Sequence, residues 1–88
     1  MSIKDVANAF IAGKQGQCHN SKTDGTTYWL HGHPIAQKID GGSVIISWCG
    51  WYTPTTANHL NAIAKAYGTG NRFSYAYARD KGVTNVML

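Results

Sequence analysis

Apolar residues recur along this chain with two spacings, and the changes between them mark its elements. Ile3, Val6, Ala7 and Phe10 fall at i, i+3, i+4 and i+7, the stripe of a helix that buries one face. Ser2 precedes them as an N-cap and Asp5 follows it by three residues, a capping box that also sets a negative charge near the positive end of the helix dipole. A first helix is predicted over about Ile3–Ala12, ended by Gly13. Later, Leu60, Ile63, Ala64 and Tyr67 repeat the same stripe. Thr53 can cap that helix, Pro54 suits its first position, and Gly68 can end it, so a second helix is predicted over Pro54–Tyr67.

Between the helices the spacing shifts towards alternation and the turn signals crowd together, as in an antiparallel meander. Gln17–Thr23 reads as a polar edge strand, and Asp24-Gly25 as a hairpin turn, because both residues accept positive φ. Thr26–His31 is the second strand, and His31-Gly32-His33-Pro34 the turn after it. In Pro34–Asp40, Ile35, Gln37 and Ile39 alternate with Ala36 and Lys38. Asp40-Gly41-Gly42 then leads into Val44–Cys49, apolar at five of six positions, the pattern of a central strand with both faces covered. Beyond the second helix, Arg72–Ala78 reads as a strand with Phe73, Tyr75 and Tyr77 on one face. Arg79–Gly82 turns the chain so that Val83–Leu88 pairs back. These elements make one α+β domain over residues 1–88, in the order α-β-β-β-β-α-β-β, with a mainly antiparallel sheet and its two helices on one face.

Length allows one core and little more. With 43% hydrophobic and 14% charged residues, the chain is expected to fold rather than stay disordered. No apolar run approaches the ~20 residues of a membrane span, and the first residues lack a secretory h-region. The expectation is an intracellular, soluble protein with no membrane partner. Cys18 and Cys49 are too few for a disulfide scaffold and read as reduced thiols. Eight Lys and Arg against four acids give a net charge of +4, which favours an acidic or polyanionic partner. The cations are spread along the chain rather than clustered.

The acids argue against catalysis. Asp24, Asp40 and Asp80 sit in turns, Asp5 sits in a cap, and there is no Glu, so no carboxylate is left over for general acid–base work. Cys49 could be drawn beside His31 or His59 as a nucleophile–base pair, but it lies in an apolar run that disfavours a thiolate. A non-enzymatic protein with no cofactor is expected. Cys18, His19, His31, His33, Cys49 and His59 lack the spacings of zinc sites. They read as turn, surface and core residues, and no metal is expected.

Two stretches could carry binding. Trp51 and Tyr52 lie in a corner between strand and helix, with Trp29 and His33 in reach. Trp and Tyr dominate interface hot spots, which makes these four the candidate partner-binding set. Trp48, by alternation with Ile46 and Val44, belongs to the core. The alternative is a nucleic-acid site on the 72–81 hairpin, where Tyr75 and Tyr77 would stack on bases and Arg72, Arg79 and Lys81 would meet phosphates.

Residues 21–61 also resemble a group of short proteins encoded by bacteriophages. The likeness is carried by Thr23-Asp24-Gly25, Leu30-His31-Gly32, Ile35-Ala36, Gly50-Trp51-Tyr52-Thr53-Pro54-Thr55-Thr56 and Leu60-Asn61. It implies fold kinship and a setting, and carries no catalytic residues over. Phage accessory proteins of this size are often stoichiometric binders of host enzymes or defence complexes. The resemblance thus implies a protein in the cytoplasm of an infected bacterium that binds and inhibits or redirects a host macromolecule. Anti-defence action, for example against a CRISPR complex, extends that implication. The edge strands Gln17–Thr23 and Val83–Leu88 leave a homodimer open.

Overall fold

In the computed structural model, which describes residues 1–88, the chain opens with helix α1 (Ile3–Ile11). Its capping box forms as the sequence predicts: Asp5 N–H donates to Ser2 Oγ and Ser2 N–H donates to Asp5 Oδ2. Those bonds hold the Asp5 carboxyl below its ordinary range. Five strands follow, β1 (Gly16–Cys18), β2 (Ser21–Thr23), β3 (Thr27–Leu30), β4 (His33–Lys38) and β5 (Val44–Ser47). Helices α2 (Pro54–Tyr67) and α3 (Tyr75–Lys81) come next, and strand β6 (Asn85–Met87) closes the fold. The sheet runs β1-β2-β3-β4-β5-β6 and every neighbouring pair is antiparallel. The architecture is the α+β fold expected, with an antiparallel sheet and helices on one face.

Cross-strand pairs identify the two faces. Tyr28, Ala36, Ile46 and Val86 stand opposite one another along successive strands; the first three belong to one core cluster with Val6, Phe10, Leu60 and Ile63, and the half-buried Val86 packs against it. The other row, Thr27, Gln37, Ile45 and Met87, faces away from the helices. So do Lys22 and Trp29, which pair with each other. Trp48 is buried in the core, as alternation predicted.

Several elements differ from the sequence reading. Gln17–Thr23 is two strands rather than one, because His19 turns the chain in left-handed conformation (φ 50°) and Ser21 Oγ closes the turn on the Cys18 carbonyl at 2.9 Å. In β4 a bulge sets Pro34, not Ile35, opposite Trp29, which brings Ile35 and Ala36 both into the core. Ile35 therefore parts from Gln37 and Ile39, its expected companions, which are exposed; one extra residue on one strand flips the alternation. β5 is paired on both sides but lies next to the edge strand β6, and only its inner face is covered, with Ile45 and Ser47 looking outward half-buried.

The largest correction lies at 72–78. This stretch is not a strand: α3 starts at Tyr75, with Ser74 Oγ accepting from Tyr77 N–H at 3.3 Å and Gly82 (φ 68°) as its left-handed C-cap. Ser74, Ala76, Ala78 and Gly82 are helix-cap and helix-forming residues, and they outweigh a short alternation of aromatics. With no strand at 72–78 to receive it, the C-terminal segment pairs with the free edge of β5, Val86 opposite Ile46.

Candidate partner-binding surface

The corner after β5 starts with a reversal. Cys49 (φ 51°) and Gly50 (φ 77°) are both left-handed, and Trp51 N–H donates to the Trp48 carbonyl at 2.8 Å. This turn sends the corner's two aromatics in opposite directions. Tyr52 folds inward, its ring stacked on Trp48 with centroids 5.6 Å apart and its hydroxyl donating to the Val83 carbonyl at 2.8 Å. It staples the segment before β6 to the corner. Trp51 turns outward, 53% exposed, and its ring lies 5.6 Å from that of His33. Of the four candidate partner-binding residues, the fold therefore brings Trp51 and His33 together, while Tyr52 is committed to packing.

Trp29 stands apart from that pair, on the outer face of the sheet, where Lys22 Nζ lies 5.5 Å from its ring centroid. Pro34 joins the two places. It stands across from Trp29, follows His33 directly, and its carbonyl accepts from Cys49 Sγ at 3.0 Å. Beyond it the outer face continues as a hollow of about 190 Å³ between Pro34, Gln37, Ile45, Ser47 and Asn85. Met87, 54% exposed, stands opposite Ile45. From Trp51 past Trp29 to Met87 the large apolar side chains thus stand among the polar Lys22, Gln37, Ser47 and Asn85. The exposure of Met87 had no signal in the sequence, because β6 was expected to pair elsewhere.

The alternative set is rearranged by the helix. Tyr75 and Tyr77 are about 200° apart around α3 rather than on one face, and both are exposed. Arg79 Nε lies 3.3 Å from Asp80 Oδ1, while Arg72 and Lys81 have no carboxylate partner. Beneath α3, Arg72, Phe73, Tyr77 and Val83 border a hollow of about 230 Å³ floored by Trp48. Trp48 Nε1 is the one buried side-chain nitrogen or oxygen without a hydrogen-bond partner.

The cysteines and histidines are divided. Cys18, His19, His31 and His59 border one cleft, whereas His33 packs on Trp51 and Cys49 bonds to Pro34. No three of these side chains are placed to hold a metal ion together. No helix is long and apolar enough to cross a membrane.

Comparison with known proteins places the chain in a phage lineage. The family described as Kyanoviridae Gp96 protein matches residues 3–84, which spans every element from α1 to the segment leading into β6. No curated protein and no solved structure matches. This phage-encoded chain belongs to the Kyanoviridae Gp96 protein family.

Proposed function

We propose that the protein acts without catalysis, by docking on a host protein that it inhibits or redirects. The observation that carries this reading is the uncovered outer face of the sheet. Trp29, Ile45 and Met87 stand there with no helix across them, and the exposed Trp51 is braced by His33 at its margin. Rigid Trp side chains left at the surface of a small folded protein are the usual anchors of an interface. A net charge of +4, with Lys22 on this same face, favours an acidic partner surface. Anti-defence action, such as blocking a CRISPR complex, is one form this binding takes.

The test is affinity capture from host lysate with wild type, Trp51→Ala and Trp29→Ala, each with and without nuclease. A discrete protein that survives nuclease and is lost with either variant supports the reading. Capture that both variants retain removes it.

Nucleic acid is the second reading, favoured by α3, where Tyr77 is 62% exposed and the cations Arg72 and Lys81 are unpaired. In that case recovery vanishes with nuclease and falls steeply with salt, the mark of phosphate contacts.

A further inference from the structure

Cations that the sequence spreads along the chain are gathered by the fold on the helix side of the molecule, away from the outer sheet face. A hollow of about 370 Å³ opens there, bordered by Lys4 and Asn8 of α1 and by Ala62, Lys65 and Ala66 of α2. Lys65 also borders a second hollow, of about 290 Å³, which passes Thr69 and Asn71 and reaches Arg72. We propose that the two hollows form one groove for the phosphodiester backbone of double-stranded nucleic acid, with Lys4, Lys65 and Arg72 meeting its phosphates.

Charge carries the inference. Lys4, Lys65 and Arg72 are all exposed. Other cations are engaged within the protein: Lys22 lies over the Trp29 ring, Lys38 Nζ donates to the Ile11 carbonyl at 3.2 Å, and Arg79 pairs with Asp80. Lys4, Lys65 and Arg72 have no such partner. None of the residues bordering either hollow is acidic. Asp5, next to Lys4, accepts from the Ser2 N–H in its capping box, and Asp24 is bonded within its own turn. A groove lined by one sign of charge concentrates the opposite sign, and a row of cations is matched by a polyanion whose bound counterions it can release.

The rest of the lining selects backbone over bases. Neither hollow is bordered by an aromatic residue, so nothing there stacks on an unpaired base, whereas single-strand grooves depend on such stacking. The exposed amides of Asn8 and Asn71 are groups that proteins use beside lysine and arginine on phosphate and sugar oxygens. The far end of the groove is braced. Asn61 bonds both backbone groups of Phe73, the residue after Arg72, and the Asn71 N–H donates to Thr69 Oγ1 at 3.3 Å. The last carbonyls of α2, the negative end of its dipole, are closed by the Gly68 and Thr69 N–H groups. The groove thus stands apart from the protein-docking face, and it differs from the α3 reading in taking paired strands, sharing only Arg72 with it.

Fluorescence anisotropy of labelled DNA duplexes of unrelated sequence, titrated with the full chain over a salt series, tests the groove. The expected result is equal binding of the duplexes that weakens with salt. The logarithm of the association constant should fall against the logarithm of salt concentration with a slope of about −3, for phosphate contacts by the three cations. Lys65→Gln exchanges one exposed helix former for another, so the fold should be kept. It should weaken binding alike for every duplex and reduce the steepness of the slope by about 1. Tyr77→Ala distinguishes the groove from α3. Binding that is lost in Tyr77→Ala and kept in Lys65→Gln, a preference for single strands over duplexes, or an unchanged slope in Lys65→Gln would each overturn the proposal.

Discussion

Asn61 grips Phe73 by both of its backbone groups. Its Oδ1 accepts from the Phe73 N–H at 2.6 Å, and its Nδ2 donates to the Phe73 carbonyl at 3.1 Å. One side chain in the middle of α2 thus does for the 69–74 segment what a neighbouring strand would do. It satisfies the backbone of a residue that has no ladder, and it sets where α3 begins.

Asn61→Ala should therefore loosen the 69–74 segment and α3 without disturbing the sheet. Two hydrogen bonds vanish and the half-buried Phe73 backbone is left unsatisfied, a cost of about 1–3 kcal/mol. Urea unfolding should show a lower midpoint, and limited proteolysis should cut first within 69–74. Wild-type midpoint and cleavage pattern in the variant would mean that the clamp contributes nothing.

Two glycines separate backbone strain from close approach. Gly25 and Gly41 both have positive φ, 92° and 82°. A Cβ on Gly41 meets nothing within 4 Å, whereas one on Gly25 would lie 2.6 Å from the backbone of Gly13. Gly41→Ala should cost about 1 kcal/mol, the left-handed penalty alone. Gly25→Ala must also push the end of α1 from the β2–β3 turn, and it should cost about 3 kcal/mol or more. Thermal melts of the two variants side by side make the comparison, and equal losses would contradict the close packing of Gly13 on Gly25.

The tryptophans of the corner should divide in the same way. Trp48→Ala empties a core site and should cost about 3–5 kcal/mol. Trp51→Ala removes an exposed ring and should move stability by about 0.5 kcal/mol or less. A large loss in Trp51→Ala would make the His33–Trp51 pair a structural staple and weaken its claim as a docking anchor.

How far the sequence alone reaches is clear from particular residues. α2 was readable to its ends because Thr53, Pro54 and Gly68 act locally, through caps that need no distant partner. The same holds for Ser2 with Asp5, and for the Asp24-Gly25 turn, where Asp24 Oδ1 accepts from Thr26 and Thr27 at 2.8 and 2.9 Å. α3 was missed although its caps, Ser74 and Gly82, are equally local, because Phe73, Tyr75 and Tyr77 mimic the alternation of a strand in a window too short to decide. The bulge at Ile35, the pairing of Val86 with Ile46, and the union of His33 with Trp51 depend on neighbours far along the chain. Asn61 lies between these cases: the resemblance marked it, but only its contact with Phe73 explains it.

The buried pair Tyr28 and His59 should shape stability against pH on both sides of neutrality. Burial, followed by the nearby His31, holds the His59 pKa below its ordinary 6.5. The unfolded chain therefore takes up that proton first as pH falls, and stability is present above pH 6.5 and lost on going down towards the folded value. Tyr28 works in the opposite direction. Burial pushes its hydroxyl from 10.0 up to about 12, so the unfolded chain gives up the proton first and stability declines above pH 10.0. The carboxyls of Asp5 and Asp24, lowered by their cap and turn bonds, act only in the carboxylate range and leave the region near pH 6 alone. Melting midpoints taken from about pH 7.5 to about pH 5.5 should fall in wild type and fall less in His59→Gln. Tyr28→Phe should keep part of the acid-side fall and lose the alkaline one. It should also lower stability throughout by about 1–3 kcal/mol, the cost of leaving Nδ1 buried without its partner. Parallel pH profiles in wild type and both variants would show that the pair does not titrate with folding.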